Sequence, residues 1–477
     1  MALTFYWHDY ETWGADPRKD RAAQFAGIRT DLDFNIIGRP LSLYCRPSDD
    51  ILPQPEACLV TGITPQRALA EGVIEAEFFD VIHQELSHPG TCGVGYNSIR
   101  FDDEFTRYGL YRNFFDPYAR EWQNGNSRWD IIDMVRLTRA LRPEGIEWPV
   151  HEDGSTSFRL EKLTEANGIA HEAAHDALSD VYATIAMAKL VKTRQPRLFD
   201  HIFQLRDKHK LAGLLDPQKM QPMLHVSSMF PASLGCISMV VPIARHPSNA
   251  NGIIVYDLRQ DPADLIELDV DEIHRRLFTP RDELPQGMER VPLKTVHVNK
   301  APVIVPLNTL TDEMAGKWQL DIAQGWDYLR RLQNAAGLVE KVQSVHRLRE
   351  FSETVDPDQN LYGGGFFSDA DRRQMTAIRT TEPGKLTDAA WFFEDPRLPE
   401  MLFRYRARNW PETLSGEERL RWDEFRRDRL SGGVDGASIT LQEYRQSLAR
   451  LMIDPALDED ARTVLSALAD WPDNIGL

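Results

Sequence analysis

Cysteine is scarce in this sequence: Cys45, Cys58, Cys92 and Cys236 are the four in 477 residues, and no two form a Cys-x-x-Cys pair. That spacing argues against a zinc knuckle and a disulfide framework, and fits a reducing compartment. Long apolar runs are missing too. No stretch approaches the ~18 uninterrupted apolar residues that cross a bilayer, and the first residues lack the basic region, apolar core and small-residue cleavage site of a signal peptide. A cytoplasmic protein with no membrane contact is expected. Positive charge is in deficit, with 55 Lys and Arg against 73 Asp and Glu and a formal net charge of −18. Such a surface does not coat nucleic acid all over, although a local basic groove stays open. Repeats and low-complexity tracts are absent, and 42% hydrophobic with 27% charged residues is the make-up of a folded chain. At ~150 residues per domain the length predicts about three domains.

Strand-like runs at Phe5–Trp7, Phe25–Ile28, Ile36–Ile37, Leu41–Cys45 and Thr91–Tyr96 alternate with helical patterns at Pro65–Leu69, Glu75–Leu86, Asp103–Tyr111, Ile131–Leu141, Leu160–Asn167 and Ala177–Lys192. This predicts an α/β domain over residues 1–196. Residues 197–350 read as β-rich, with strands at Met239–Ala244, Gly252–Asp257, Val291–Val296 and Val303–Val305. Residues 351–477 read as all helical, at Asp369–Arg379, Pro399–Ala407, Gly416–Leu430, Ile439–Ile453 and Glu459–Ala469. Between Met401 and Leu430 eight arginines are interleaved with Phe403, Tyr405, Trp410, Trp422 and Phe425. Two accounts fit: a strand-binding surface of phosphate contacts and stacking rings, or amphipathic helices whose rings are core and whose arginines pair with neighbouring carboxylates.

The chemistry begins at Asp9 and Glu11. On a strand, residues two apart project from the same face about 6.6 Å from one another. Two such carboxylates repel and are poorly solvated unless a cation sits between them, and hard oxygen ligands suit Mg²⁺ or Mn²⁺. A strand then runs through a turn to Phe101-Asp102-Asp103-Glu104, where Asp102, directly after a residue expected to be buried, is the candidate and Asp103 is expected to serve as helix cap or surface charge. Further on, Ala177, Val181, Thr184, Ala188 and Val191 form one helical stripe, and Asp180 falls within it. His175, five residues earlier, stands where an imidazole would act as general base.

Together Asp9, Glu11, Asp102, His175 and Asp180 resemble the DEDDh class of 3′→5′ exonucleases, in the order Asp-x-Glu, Asp, His-x-x-x-x-Asp. Asp176 stands where the tyrosine subclass would carry its Tyr. The segments His8–Gly14, Phe25–Asp31, Ser127–Asp130, Ala140–Ile146, Ala183–Phe199 and Tyr405–Asn409 look like bacterial exonuclease I over nearly the whole chain. The resemblance implies an RNase H-like exonuclease domain, an SH3-like β-rich domain and an all-α C-terminal extension around a groove for one DNA strand. It implies hydrolysis with two Mg²⁺ ions, with Mn²⁺ as a substitute, held by Asp9, Glu11, Asp102 and Asp180, with His175 as base and 5′-mononucleotides as product, in DNA repair and recombination. Glu11, Thr12, Asn97, Arg128 and Arg159 are the implied substrate contacts, and a monomer is implied. Exonuclease I enzymes also bind the C-terminal tail of single-stranded DNA-binding protein. Arg142 matches one residue of that pocket, whereas His201, Pro306 and Thr311 replace the expected Tyr, Gln and Arg.

Overall fold

The computed structural model describes residues 3–171, 175–349, 354–434 and 436–477; the expected boundary at 350/351 falls outside them. The chain forms two compact units interleaved in sequence. The first comprises Met1–Ser127, His171–Ile185 and Glu353–Leu477, the second Arg128–Ala170 and Ala186–Ser352.

In the first unit, strands β1 (Thr4–Thr12), β2 (Ala22–Thr30), β3 (Ile36–Tyr44) and β4 (Thr91–Gly95) lie in the order β3-β2-β1-β4. β1 runs antiparallel to β2 and parallel to β4. Phe5, Tyr6 and Trp7 are all buried, which is why this stretch reads as a continuous apolar run and not as an alternation. The two short runs expected at Ile36–Ile37 and Leu41–Cys45 are one strand. Gly38, in the left-handed region at φ 78°, and Pro40 read as breakers in isolation, but they sit where the β2–β3 register slips between Gly27 and Arg29. An edge strand tolerates both at a bulge. Behind the sheet, the helix Glu75–Ser87 buries Phe78, Phe79, Ile82 and Leu86 against Tyr6, Tyr10 and Phe25.

The C-terminal helices Asp369–Thr380, Leu398–Asn409, Gly416–Ser431, Leu441–Met452 and Glu459–Asn474 belong to this same unit. Tyr444, Leu465, Leu468 and Trp471 share a core with Trp13, Ile51 and Leu52. The arginine-rich stretch takes the second of its two accounts. Phe403, Tyr405 and Trp422 are buried, and so are Arg404, Arg406, Arg426 and Arg429. Arg408 and Arg429 both bond Asp50, at 2.9 and 3.0 Å, and Arg408 and Arg404 both bond Asp358, at 2.6 and 3.0 Å. The arginines around Asp50 hold its carboxyl far below the usual range despite complete burial. Asp50→Ala leaves the buried Arg429 without its carboxylate and Arg408 with Asp358 alone, so it is expected to destabilise the protein by about 3–5 kcal/mol, read as a lowered urea midpoint.

β5 (Ser127–Asp130) carries the chain from the first unit into the second. There β6 (Met223–Val226), β7 (Ile237–Arg245), β8 (Gly252–Asp257), β9 (Leu293–His297) and β10 (Val303–Pro306) form an antiparallel sheet in the order β10-β6-β7-β8-β9. The helices Val270–Phe278, Ile322–Asn334 and Leu338–Arg347 close its core through Ile273, Leu329, Leu332, Val342 and Val345. β5 and β6 escape the sequence pattern because four residues, nearly all buried, show no alternation. The α/β, β-rich and helical order expected from the sequence is the order observed.

Candidate active site

The parallel pairing of β1 with β4 ends at Trp7 and Val94, while β1 continues to Thr12 against β2. Asp9 and Glu11 therefore lie on the part of β1 that has outrun β4, where no neighbouring strand takes up the backbone on that side. The Tyr10 N–H donates instead to Asp102 Oδ1 at 3.0 Å. That bond brings the third carboxylate between the other two in sequence along the strand. The turn leading there is tight. A Cβ on Gly95 would come within 2.6 Å of the Ser98 side chain and 3.1 Å of the His8 carbonyl. Asn97 takes the left-handed conformation at φ 62°, which a short polar side chain tolerates. Asp102 then opens the helix Asp102–Arg112.

On the other side, the helix Ala177–Arg194 buries Ala177, Val181, Thr184, Ala188 and Val191 as its periodicity predicts. Asp176 Oδ1 accepts the Ser179 N–H at 3.1 Å, so a neighbour caps this helix and Asp180 is left to the site. The exposed His175 stands in the turn before it at φ 68°. Its N–H donates to Asp180 Oδ2 at 3.2 Å, and ligand atoms of Glu11, His175 and Asp180 lie within 4.8 Å of one another.

Two expectations near Asp102 need correction. Phe101 is half-buried, not buried. Asp103 is neither cap nor surface charge: it is buried and pairs with the equally buried Arg120 at 2.6 Å. A second carboxylate beside Asp102 is tolerated there because the guanidinium compensates it. His8, next to this pair, is pushed down to about 4, chiefly by burial.

The site carboxylates perturb one another strongly. Burial first, then the charges of Asp102, Glu11 and Asp180, hold Asp9 well above the usual carboxylate range. Burial, then Asp180, Asp102 and Asp176, pushes Glu11 up to about 9. Burial also raises Asp180, against the opposing bond from His171. Glu11 so poised retains its proton at neutral pH until a cation replaces it. The donor set of hard oxygens with one imidazole fits divalent metal ions. Since the native state holds a proton on Glu11 that the unfolded chain has already lost above its ordinary pKa of ~4.3, stability of the metal-free protein falls as pH rises from there towards 9. The slope is at most about 1.4 kcal/mol per pH unit for each such proton. Urea midpoints of the metal-free protein are expected to fall through this window, less steeply in Glu11→Gln, and divalent cation is expected to flatten the wild-type slope.

Thr12 is buried and its Oγ1 donates to the Gly14 carbonyl at 2.7 Å. Asn97 is exposed on the turn between β4 and Asp102. Arg128, in the second unit, is buried and donates to the Asn299 carbonyl at 2.9 Å. Arg159, also in the second unit, is 73% exposed and 4.0 Å from Glu161. Arg142 donates to the carbonyls of Leu141 and Thr309 at 2.5 and 3.1 Å. Sequence reasoning passed over His171, whose Nε2 lies 2.5 Å from Asp180 Oδ1. The available signal was a second histidine four residues before His175.

Residues 6–188 match the family described as Exonuclease, 206–348 the Exonuclease I SH3-like domain, and 355–475 the Exonuclease I C-terminal domain. Exodeoxyribonuclease I of Escherichia coli (strain K12) is 49% identical over 97% of this chain and 98% of its own length. Among solved structures, a moderately thermophilic exonuclease I from Methylocaldum szegediense superposes with a TM-score of 0.95 at 53% identity, covering 99% of this chain and 100% of that one. The zinc-ion-bound form of the E. coli exonuclease I–ssDNA complex gives 0.95 at 49% identity, with both chains fully covered. An SSB/exonuclease I structure in complex with the inhibitor CFAM gives 0.92 at 48% identity, again with full coverage. Likeness of this depth, running through all three matched segments and nearly end to end, means that the chain belongs to the exonuclease I family.

Proposed function

We propose that the protein is a single-strand-specific 3′→5′ exodeoxyribonuclease that releases 5′-mononucleotides, acting in the cytoplasm in DNA repair and recombination. The observation that carries this reading is the set of mutually repelling acids gathered where β1 outruns β4, in a chain of this family. Asp9, Glu11, Asp102 and Asp180 would hold two Mg²⁺ ions, with Mn²⁺ as a substitute. Bound divalent ions supply Lewis-acid polarisation of the scissile phosphate and compensate charge on the leaving 3′-oxygen. The exposed His175 imidazole takes the proton of the attacking water. Its position in a solvent-accessible turn, beside a carboxylate it also bonds through its backbone, lets it pass that proton on to bulk water. Thr12 and Asn97 border the site on β1 and on the turn before Asp102, and there they contact the terminal nucleotide. Arg159 offers an exposed guanidinium to the strand, whereas the buried Arg128 shapes its own unit.

Incubation with Mg²⁺ and 5′-labelled oligonucleotides tests this. A ladder shortening from the 3′ end on single-stranded DNA, with RNA and duplex DNA largely intact, is the expected result. Preferential degradation of RNA would reassign the substrate, and binding without cleavage would reassign the protein as an adaptor. The tail of single-stranded DNA-binding protein is a further proposed partner through Arg142. Because His201, Pro306 and Thr311 depart from the family pocket, and Thr311 already caps a helix by accepting the Met314 N–H at 3.2 Å, binding of the acidic tail peptide is expected to be weaker than in relatives with the full set.

A further inference from the structure

We propose that His171 is a positioning residue that fixes the carboxylate of Asp180 for metal binding. This rests on Asp180 being a metal ligand. Asp180 lies in the first turn of the helix Ala177–Arg194, and an aspartate there would ordinarily be drawn to the unpaired N–H groups of the helix start. Asp176 has taken that duty, bonding the Ser179 N–H. The Asp180 oxygens are claimed instead from the segment before the helix: Oδ1 by His171 Nε2 at 2.5 Å and Oδ2 by the His175 N–H at 3.2 Å.

Two bonds to two oxygens define the plane of a carboxylate as well as its position. A single bond would leave the group free to rotate about it. The His171 side chain is 5% exposed and that of Asp180 17%, so water competes poorly for the His171 bond. With its proton on Nε2 the ring donates to Oδ1, a bond that a glutamine amide nitrogen can also make. With its carboxylate held this way, Asp180 keeps a ligand atom within 4.8 Å of those of Glu11 and His175. Loss of a partner that orients a metal-binding carboxylate typically costs 10–100-fold in metal affinity.

The experiment titrates the full-length, DNA-free protein with Mn²⁺ by calorimetry in four forms: wild type, His171→Ala, His171→Gln and Asp180→Asn. Urea midpoints and kcat and KM on single-stranded DNA are measured in parallel. His171→Ala and Asp180→Asn are expected to weaken Mn²⁺ binding about 10–100-fold. His171→Gln, whose amide nitrogen reaches the place of Nε2, is expected to stay within about threefold of wild type. In His171→Ala kcat falls while KM for the strand is unchanged. Weakened binding in Asp180→Asn with wild-type binding in His171→Ala overturns the positioning role and leaves Asp180 a ligand. Wild-type binding in Asp180→Asn overturns the ligand role itself. Equal weakening in His171→Ala and His171→Gln, tracking a lowered urea midpoint, marks His171 as structural only and also overturns the proposal.

Discussion

Asp9→Asn is expected to abolish cleavage of single-stranded DNA to within about 10⁻³–10⁻⁵ of the wild-type rate while making the metal-free protein more stable. The two effects have one cause. Asp9 lies under the charges of Asp102, Glu11 and Asp180 and is itself poorly solvated, so its carboxyl is held well above its usual range. An amide of the same shape removes one member of a repelling group, and the urea midpoint in chelator rises. The same removal takes away an acid that feels the charges of the three other proposed ligands, and metal stabilisation of a phosphodiester transition state is worth several kcal/mol, each 1.4 kcal/mol being tenfold in rate. Near-wild-type cleavage by Asp9→Asn, or a lowered midpoint without metal, would remove Asp9 from the site.

Replacing His175 by alanine is expected to lower kcat by about 10²–10⁴, the usual worth of a positioned general base, with KM for the strand little altered. Because position 175 is left-handed at φ 68°, alanine there adds backbone strain to the loss of the imidazole. His175→Asn separates the two, since asparagine adopts that conformation readily. An equal loss in both variants, partly restored by added imidazole, assigns the effect to the ring. Mn²⁺ affinity falling in step with kcat would instead make His175 a ligand, a role its distance to Glu11 and Asp180 permits.

Much of this was legible in the residues. The period-two projection of Asp9 and Glu11, the stripe around Asp180 and the change from α/β to β-rich to helical sequence are local patterns, and local patterns survive folding when burial follows them. What was not legible depends on partners distant in sequence. Asp103 looked like a cap because nothing near it announces Arg120, seventeen residues on, as its buried counter-ion. The arginines between Met401 and Leu430 admitted a strand-binding surface because the carboxylates that neutralise them, Asp50 and Asp358 among them, lie elsewhere in the chain. Gly38 and Pro40 divided one strand into two on paper, since a bulge is a property of a pair of strands.

Trp13, one residue beyond β1, shares its core with Trp471, and this has a consequence for how the molecule is made. β1 and the first acids of the site are made well before the second unit, yet Tyr444, Leu465, Leu468 and Trp471, which share the core of Trp13, Ile51 and Leu52, are made only after it. Until then the emerging chain carries an open apolar flank beside the strand that bears Asp9 and Glu11. The helices that follow the second unit thus supply packing that commits β1 to its native place.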